Sequence, residues 1–377
     1  MDIAVAYDKF GKRSASGARV SLHTLLDGLP DAYSFSIYDT VHQDEAVPDF
    51  VDSRQTVSPR QIPTFVWTNQ VLYRWQWRNG VRERFEANEH DVVITQGEIA
   101  PATVQIAAET DTPSIFFLRS LQVTGTEKFD PRDDAVENFA RTDLGGRVQF
   151  PFLARNVRAY RRALETADVV VTNSDFTAER VRERFGVDST VIYPPITLSD
   201  YRVTSDPDGK ITMVNPRSAD KGVDIFLDIA ERLPDEEFLL VGTVSPDAEK
   251  RRAQRLDNVT LHGWTDDVRE AYGQSKLVVV PSRYEEPFGR VAAEAMVSAI
   301  PCVVSNRGGL PEVVGETGEI VDAVESERAW INAIERALAT DRGAAQRERV
   351  ERFAADKQVE KLRKLVERAQ SGRGTGN

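Results

Sequence analysis

The run PSRYEEPFGRVAAEAM occupies residues 281–296 and holds Glu286 and Glu294 eight positions apart, with Pro287-Phe288-Gly289 directly after the first. A buried-type apolar run, Lys276-Leu277-Val278-Val279-Val280, comes just before it, and an apolar helical pattern from Val291 to Val297 comes just after. The string therefore reads strand, tight turn, helix. In an open α/β sheet the ligand sits at the carboxyl ends of the strands, where such turns lie. A helix opening there aims unsatisfied backbone N–H groups at an anion. Glu286 falls in the turn, and Glu294 falls about a turn into the helix, where a carboxylate accepts hydrogen bonds from hydroxyls. An anion together with hydroxyls suits a sugar nucleotide.

Working outward, short β-type runs alternate with helical patterns along the whole chain, which predicts parallel sheets with crossover helices. In the first half, strands are expected at Ile3–Tyr7, Tyr33–Tyr38, Asp91–Thr95, Ser114–Leu118, Asp168–Thr172 and Thr190–Tyr193, with helices near 18–29, 67–88, 151–166 and 175–185. The second half gives strands near 211–215, 237–242, 258–262, 277–281, 301–305 and 318–321. The fold class is α/β, two Rossmann-like doubly wound parallel sheets, one per half. Residues 1–195 make the first domain, a Pro-, Asp- and Ser-rich segment over 196–209 makes the linker, and 210–342 make the second domain. A last helical pattern covers 343–370, and the Gly-rich tail 371–377 is expected to be disordered.

The spacing of Glu286 and Glu294 resembles the Glu-x(7)-Glu signature of the retaining glycosyltransferases of family 4, the group 1 glycosyl transferases. Val214-Asn215-Pro216-Arg217-Ser218-Ala219-Asp220-Lys221-Gly222 resembles that family's phosphate-binding loop. Asn258 to Trp264 resembles its base-side strand and turn, and Gly308-Gly309-Leu310-Pro311-Glu312 resembles the loop after the next strand. The similarity is strong over 210–322 and diffuse before it. It implies the GT-B fold, with two domains facing a central cleft and the terminal helix crossing back onto the first. It also implies a nucleotide-diphosphate sugar as donor, a glycan or lipid-linked acceptor, and transfer with retention of anomeric configuration. Glu286, Arg217 and Lys221 then take the catalytic roles: Glu286 orients the donor sugar, and the two cations meet the departing diphosphate. Glu294 would hold ribose hydroxyls. Gly17, Gly222, Phe288, Gly289, Arg290, Gly263 and Trp264 complete the expected donor site.

The first half departs from the family pattern. Ser16-Gly17-Ala18 stands where a Gly-rich loop is usual, with Ser16 replacing one glycine; a plain helix N-cap by Ser14 or Ser16 is an equal reading. Many members have a His after the strand that ends at Leu118, where this chain has Arg119 and Ser120. Arg119 either holds an acceptor phosphate or caps the strand. The segment Phe65–Phe85 carries Trp67, Trp75 and Trp77 with Arg74, Arg78, Arg82 and Arg84 interleaved. That mixture suits peripheral membrane contact, or an amphipathic helix packed in its own domain.

Composition bounds the rest. The net charge of −12 is a poor match for nucleic acid. Ten of the 48 basic residues are lysine, a bias shared by salt-adapted proteins and by arginine-favouring genomes. Cys302 is the only cysteine and lies in an apolar run, so it reads as a small buried hydrophobe in a reducing compartment. The start of the chain lacks signal-peptide character and no stretch reaches membrane-span length, which together suggest a cytoplasmic protein. Four scattered histidines have no ligand spacing, so no metal and no cofactor are expected. Two other functions stay open: a nucleotide-sugar epimerase of similar fold, and a non-catalytic subunit that only binds a nucleotide-sugar.

Overall fold

The computed structural model describes residues 1–11, 17–40, 47–58, 65–125, 133, 135–141 and 144–373. The chain divides into two compact units, Met1–Tyr193 with Gln358–Asn377, and Pro194–Lys357.

Among the described residues the first unit holds a seven-stranded sheet in the order β3-β2-β1-β4-β5-β6-β7. The strands are β1 (Asp2–Tyr7), β2 (Ser34–Asp39), β3 (Ser53–Thr56), β4 (Val92–Gln96), β5 (Ser114–Leu118), β6 (Val169–Thr172) and β7 (Thr190–Val191). Every pairing is parallel. The helices are α1 (Gly17–Asp27), α2 (Val66–Ala87), α3 (Ala100–Glu109), α4 (Ala135–Arg141), α5 (Leu144–Thr166) and α6 (Asp175–Phe185). Alternate residues of each strand feed opposite faces. Ile3 and Val5 pack with Leu22, Leu25, Leu26 and Ile94 on one face. Ala4 and Ala6 pack with Trp77, Val81, Val93 and Ile106 on the other.

β3, α3, α4 (Ala135–Arg141) and the start of α5 escape a periodicity reading. β3, Ser-Arg-Gln-Thr, is a polar edge strand with no apolar alternation. α3 carries Pro101 in its first turn and is buried nearly all round, so it shows no single apolar stripe. α5 begins at Leu144, not at 151, because Pro151 sits inside the helix rather than at its start.

The second unit holds a six-stranded parallel sheet in the order β10-β9-β8-β11-β12-β13. Its strands are β8 (Lys210–Val214), β9 (Phe238–Val241), β10 (Val259–Gly263), β11 (Ser275–Val280), β12 (Cys302–Ser305) and β13 (Glu319–Val321). A short α7 (Leu198–Tyr201) precedes them. Around the sheet lie α8 (Val223–Arg232), α9 (Asp247–Ala253), α10 (Arg269–Gly273), α11 (Arg290–Val297), α12 (Leu310–Val314), α13 (Glu327–Ala339) and α14 (Gly343–Val350). Ile211, Met213, Leu277, Val279 and Val303 project from one face onto Phe226 and Trp330. Strand order reverses between β8 and β11, which makes their carboxyl ends the switch point of this sheet.

The terminal pattern read as one helix over 343–370 is two. α14 packs against α11 and α12 in the second unit. α15 (Ala355–Arg373) follows a turn at Glu351–Phe353. From Gln358 onward it belongs to the first unit, where Leu362, Val366 and Ala369 enter the core around β1. Gln358 Oε1 accepts from the Tyr193 N–H at 3.1 Å, fixing the helix where the first unit ends. Residues 371–373, expected in a disordered tail, complete α15.

Candidate active site

Two loops meet at the switch point of the second sheet. After β8 the chain turns through Asn215, whose left-handed φ of 61° is one that Asn adopts more readily than most residues. It passes Arg217, makes a single turn over Ala219–Lys221, and enters α8 through Gly222 at φ 75°. A Cβ at Gly222 would lie 2.0 Å from the Pro281 carbonyl oxygen, so only glycine lets this loop close against the end of β11. The contact is reinforced by Asp220, whose carbonyl accepts from the Arg283 N–H at 2.8 Å and from the Ser282 hydroxyl at 3.3 Å.

This closure brings Lys221 and Glu286 together. The Lys221 ammonium donates to Glu286 Oε1, and the Ser282 hydroxyl donates to the same oxygen at 3.0 Å. The Lys221 side chain is one-third exposed and that of Glu286 is 14% exposed, so the pair faces solvent from a half-buried position. The Tyr284 ring flanks the ammonium at 5.8 Å. Glu286 is held from behind by the loop after β12. The Gly309 N–H donates to the Glu286 carbonyl at 2.7 Å, and a Cβ on Gly308 would lie 2.5 Å from the Glu286 nitrogen. Ser305 Oγ donates to the Ser282 carbonyl at 2.6 Å. Arg283 locks the same turn to α8 through Asp224 at 2.7 and 2.8 Å.

Arg217 lies exposed beside Trp264, its guanidinium 6.0 Å from the indole ring. Trp264 is 53% exposed and follows Gly263 at the end of β10, so a flat apolar surface and a cation stand together there. Glu294 is more committed than the spacing suggests. It is 8% exposed, and it accepts from Arg290 Nε at 3.0 Å and from the Tyr272 hydroxyl at 3.1 Å. Burial, with the Glu294 charge beside it, raises the Tyr272 pKa well above the phenol range and keeps that hydroxyl a donor.

Two expected donor-site side chains also make contacts within the protein. Phe288 is 2% exposed and meets Phe353 edge-on at 5.0 Å. An aromatic ring at this turn gains more from burial than from solvent. Arg290 donates to Glu294, to the Pro195 carbonyl at 3.2 Å and to the Tyr201 hydroxyl at 3.1 Å, tying α11 to the segment that opens the second unit. Gly289, at φ 114°, supplies the turn into α11. Cys302 is fully buried, and burial pushes its thiol up to about 12.

In the first unit, Gly17 opens α1 and its carbonyl accepts from Ser21 Oγ at 2.7 Å. Ser14 and Ser16 lie outside the described residues. Arg119 follows β5, donates from Nε to Gln96 Oε1 at 2.9 Å and stacks over Phe117 at 4.7 Å. Ser120 caps the single turn Leu121–Thr124. The helix over 65–85 is largely packed. Trp77 is fully buried and donates to Thr103, while Arg78 is taken up by Glu109 and Arg82 by Glu86. Only part of that stretch is available to a membrane: Phe65, Val66 and Trp75 are exposed. No described helix is long and apolar enough to cross a membrane, and no described group of three or more His, Cys, Asp or Glu side chains is placed to hold a metal ion.

Sequence reading missed Ser282 and the Gly308 backing because both act through contacts made only once the strands align. It missed Arg283 and Asp224 because charged pairs 59 residues apart leave no local pattern.

Residues 15–200 match the model described as Glycosyltransferase Family 4, and residues 210–340 match the model described as Glycosyl transferases group 1. The chain belongs to this family of glycosyltransferases. A D-inositol 3-phosphate glycosyltransferase of a Mycobacterium species (strain JLS) is 28% identical over 221 residues, 52% of this chain and 50% of that protein. The chain spans roughly half the length of the curated relatives it matches. The sucrose-phosphate synthase of Thermosynechococcus elongatus superposes with a TM-score of 0.77 at 20% identity, covering 99% of this chain and 100% of that one. The Anabaena protein HepE, solved in complex with UDP-glucose, superposes with a TM-score of 0.68 at 17% identity, covering 97% of this chain and 99% of that one. These likenesses establish the GT-B fold for this member of the family.

Proposed function

We propose that this chain transfers a sugar from a nucleotide-diphosphate sugar to a hydroxylated acceptor with retention of anomeric configuration. The observation that carries the reading is the Lys221–Glu286 pair at the switch point of the second sheet. A cation held there by a carboxylate is a stored diphosphate site. An arriving diphosphate takes over Lys221, and Glu286 is released toward the sugar. A UDP-glucose complex of HepE, a protein of the same fold, supports the donor class.

In this mechanism the bond between the anomeric carbon and the diphosphate oxygen breaks as the acceptor oxygen bonds from the same face. The acceptor proton passes to the departing phosphate. Lys221, Arg217 and the N-terminus of α8 meet the charge that grows on the leaving group, where fixed cations and dipoles act most strongly. Glu286 steadies positive charge at the anomeric carbon. Glu294 keeps a lone pair beyond those that Arg290, Tyr272 and Tyr201 use, and this takes a ribose hydroxyl. Trp264 and Arg217 flank the base side. No divalent metal is required, because the protein's own cations do that work.

The acceptor, a glycan or a lipid-linked alcohol, belongs to the first unit, beside Gly17, Arg119 and Ser120. Phe65, Val66 and Trp75 supply the peripheral contact if it is presented at the cytoplasmic face of a membrane. The experiment that tests the reaction follows donor breakdown by proton NMR with a panel of nucleotide-sugars. The first-formed sugar or glycoside should keep the donor's anomeric configuration, with turnover unaffected by a chelator. An inverted product, or epimerised nucleotide-sugar without transfer, would replace this reading with an inverting transferase or an epimerase.

A further inference from the structure

The carboxyl ends of β1 and β4 form the switch point of the first sheet, and a buried cation stands against Tyr160, whose hydroxyl donates to the Gly97 carbonyl just past β4. Arg74, on α2, is 7% exposed. Its guanidinium donates to a neutral partner, Asn156 Oδ1 on α5, at 2.6 Å, and lies 5.7 Å from the Tyr160 ring. No carboxylate among the described residues reaches it at ion-pair distance. Glu98, just past β4, favours the charged form from farther off, whereas Arg155 opposes it. Burial is the larger influence and lowers the Arg74 pKa. Buried charges in folded proteins are ordinarily paired, because an uncompensated one is costly.

The surroundings are polar and ordered. Asn156 Nδ2 donates to the Val123 and Thr124 carbonyls, each at 3.1 Å, which fixes its own carbonyl toward Arg74. Tyr160, one turn from Asn156 on the same face, donates to the Gly97 carbonyl at 3.0 Å. Gln70 lies one turn from Arg74 on the same face of α2, is 6% exposed, and leaves Oε1 without a partner. A guanidinium with no carboxylate at ion-pair distance among the described residues and an amide oxygen without a partner thus share one face of α2.

We infer that Arg74 and Gln70 form the acceptor subsite for a phosphorylated polyol, Arg74 taking the phosphate and Gln70 a hydroxyl. This rests on the reading of the first unit as the acceptor-binding half. Guanidinium and phosphate pair in a planar, two-pronged geometry that Asn156 leaves open on the other nitrogens. The phosphate belongs either to a free sugar phosphate or to a lipid headgroup.

The test titrates the whole chain calorimetrically with fructose 6-phosphate against fructose and glucose 6-phosphate against glucose. Phosphatidylinositol vesicles are compared with phosphatidylcholine vesicles. Wild type should bind at least one phosphorylated ligand tenfold or more tighter than its parent. Arg74→Gln should abolish that ratio, and Arg74→Lys should keep it within threefold. Gln70→Met should weaken the phosphorylated ligand at least threefold. Soluble ligands saturating the site identify a sugar phosphate, and vesicle binding alone identifies a headgroup; both support the subsite. A merely structural Arg74 would lower both members of a pair alike, so a ratio unchanged in Arg74→Gln overturns the proposal. So does a wild type with no phosphate preference. Should Arg74→Gln not fold, Arg74→Met is read the same way, and a folded variant with an unchanged ratio overturns the proposal. UDP, GDP and ADP are titrated in parallel: failure of all three to bind wild type would sink the donor reading, while the polyol ratios still decide Arg74.

Discussion

Lys221 donates to Glu286 across 65 residues of sequence, joining the loop after β8 to the turn after β11. On the proposed reading, each half of the pair holds the other until a diphosphate arrives. The two residues should therefore respond in opposite ways to loss of their partner. Lys221→Ala should weaken nucleoside-diphosphate binding at least tenfold, whereas Glu286→Gln should leave it unchanged or tighter, because it frees the ammonium. Turnover should fall at least a hundredfold in both. A partly exposed pair contributes only about 0–1 kcal/mol to stability, so melting temperatures should move little. Isothermal titration with UDP, GDP and ADP, alongside thermal melts, checks both statements.

Glu294 should behave differently from Lys221. Its carboxylate is buried and holds Arg290 and Tyr272. Glu294→Ala removes the carboxylate that pairs with the Arg290 guanidinium, and removing one member of a buried pair costs about 3–5 kcal/mol. The variant should unfold at markedly lower urea, while Glu294→Gln recovers part of the loss by keeping an acceptor. Equal urea midpoints for Glu294→Ala and wild type would make Glu294 a ligand contact alone.

Gly222 should be intolerant. An alanine there meets the Pro281 carbonyl and must adopt φ 75°. Gly222→Ala should cost about 2 kcal/mol or more and move Lys221 away from Glu286. Chemical denaturation reads the first effect and nucleotide affinity the second.

Asp8 gives the first unit a pH signature. Burial pushes its carboxyl up to about 6, with Lys9 opposing and Glu98 adding to the shift. An unfolded Asp titrates near 4 on a rough scale, so the folded state binds more protons between about pH 4 and pH 6. Stability contributed by the neutral acid is full below that window, falls as pH rises through it, and stays lost above. Asp8→Asn, which keeps an oxygen for the Glu98 N–H, should therefore stabilise the protein by about 1–3 kcal/mol at pH 7.5 and by almost nothing at pH 4. Denaturant titrations at the two pH values check this; an equal effect at both would mean that Asp8 is charged throughout.

The second half of the fold was legible because its strands are continuous apolar runs and its loops carry Gly, Pro and charge at strand ends. Arg217, Lys221, Gly222 and Glu286 stand where those signals put them. The first half was harder for physical reasons: a polar edge strand, a helix buried on nearly every side, and a proline inside α5. Spacing located Glu294 and Phe288 but not their occupations. Whether a carboxylate or a ring turns toward ligand or protein depends on partners distant in sequence, here Tyr272 and Phe353. The Trp- and Arg-rich helix over 65–85 shows the same limit, since helical spacing alone could not reveal that Trp77 packs inward and Trp75 outward.

The central claim is that the switch point of the second sheet, through Lys221, holds a nucleoside diphosphate. Calorimetric titration of wild type and Lys221→Ala with UDP-glucose, GDP-mannose and ADP-glucose tests it most directly. At least one should bind wild type in the micromolar range and bind the folded variant at least tenfold more weakly. Binding of none by wild type, or equal binding by both proteins, would contradict it.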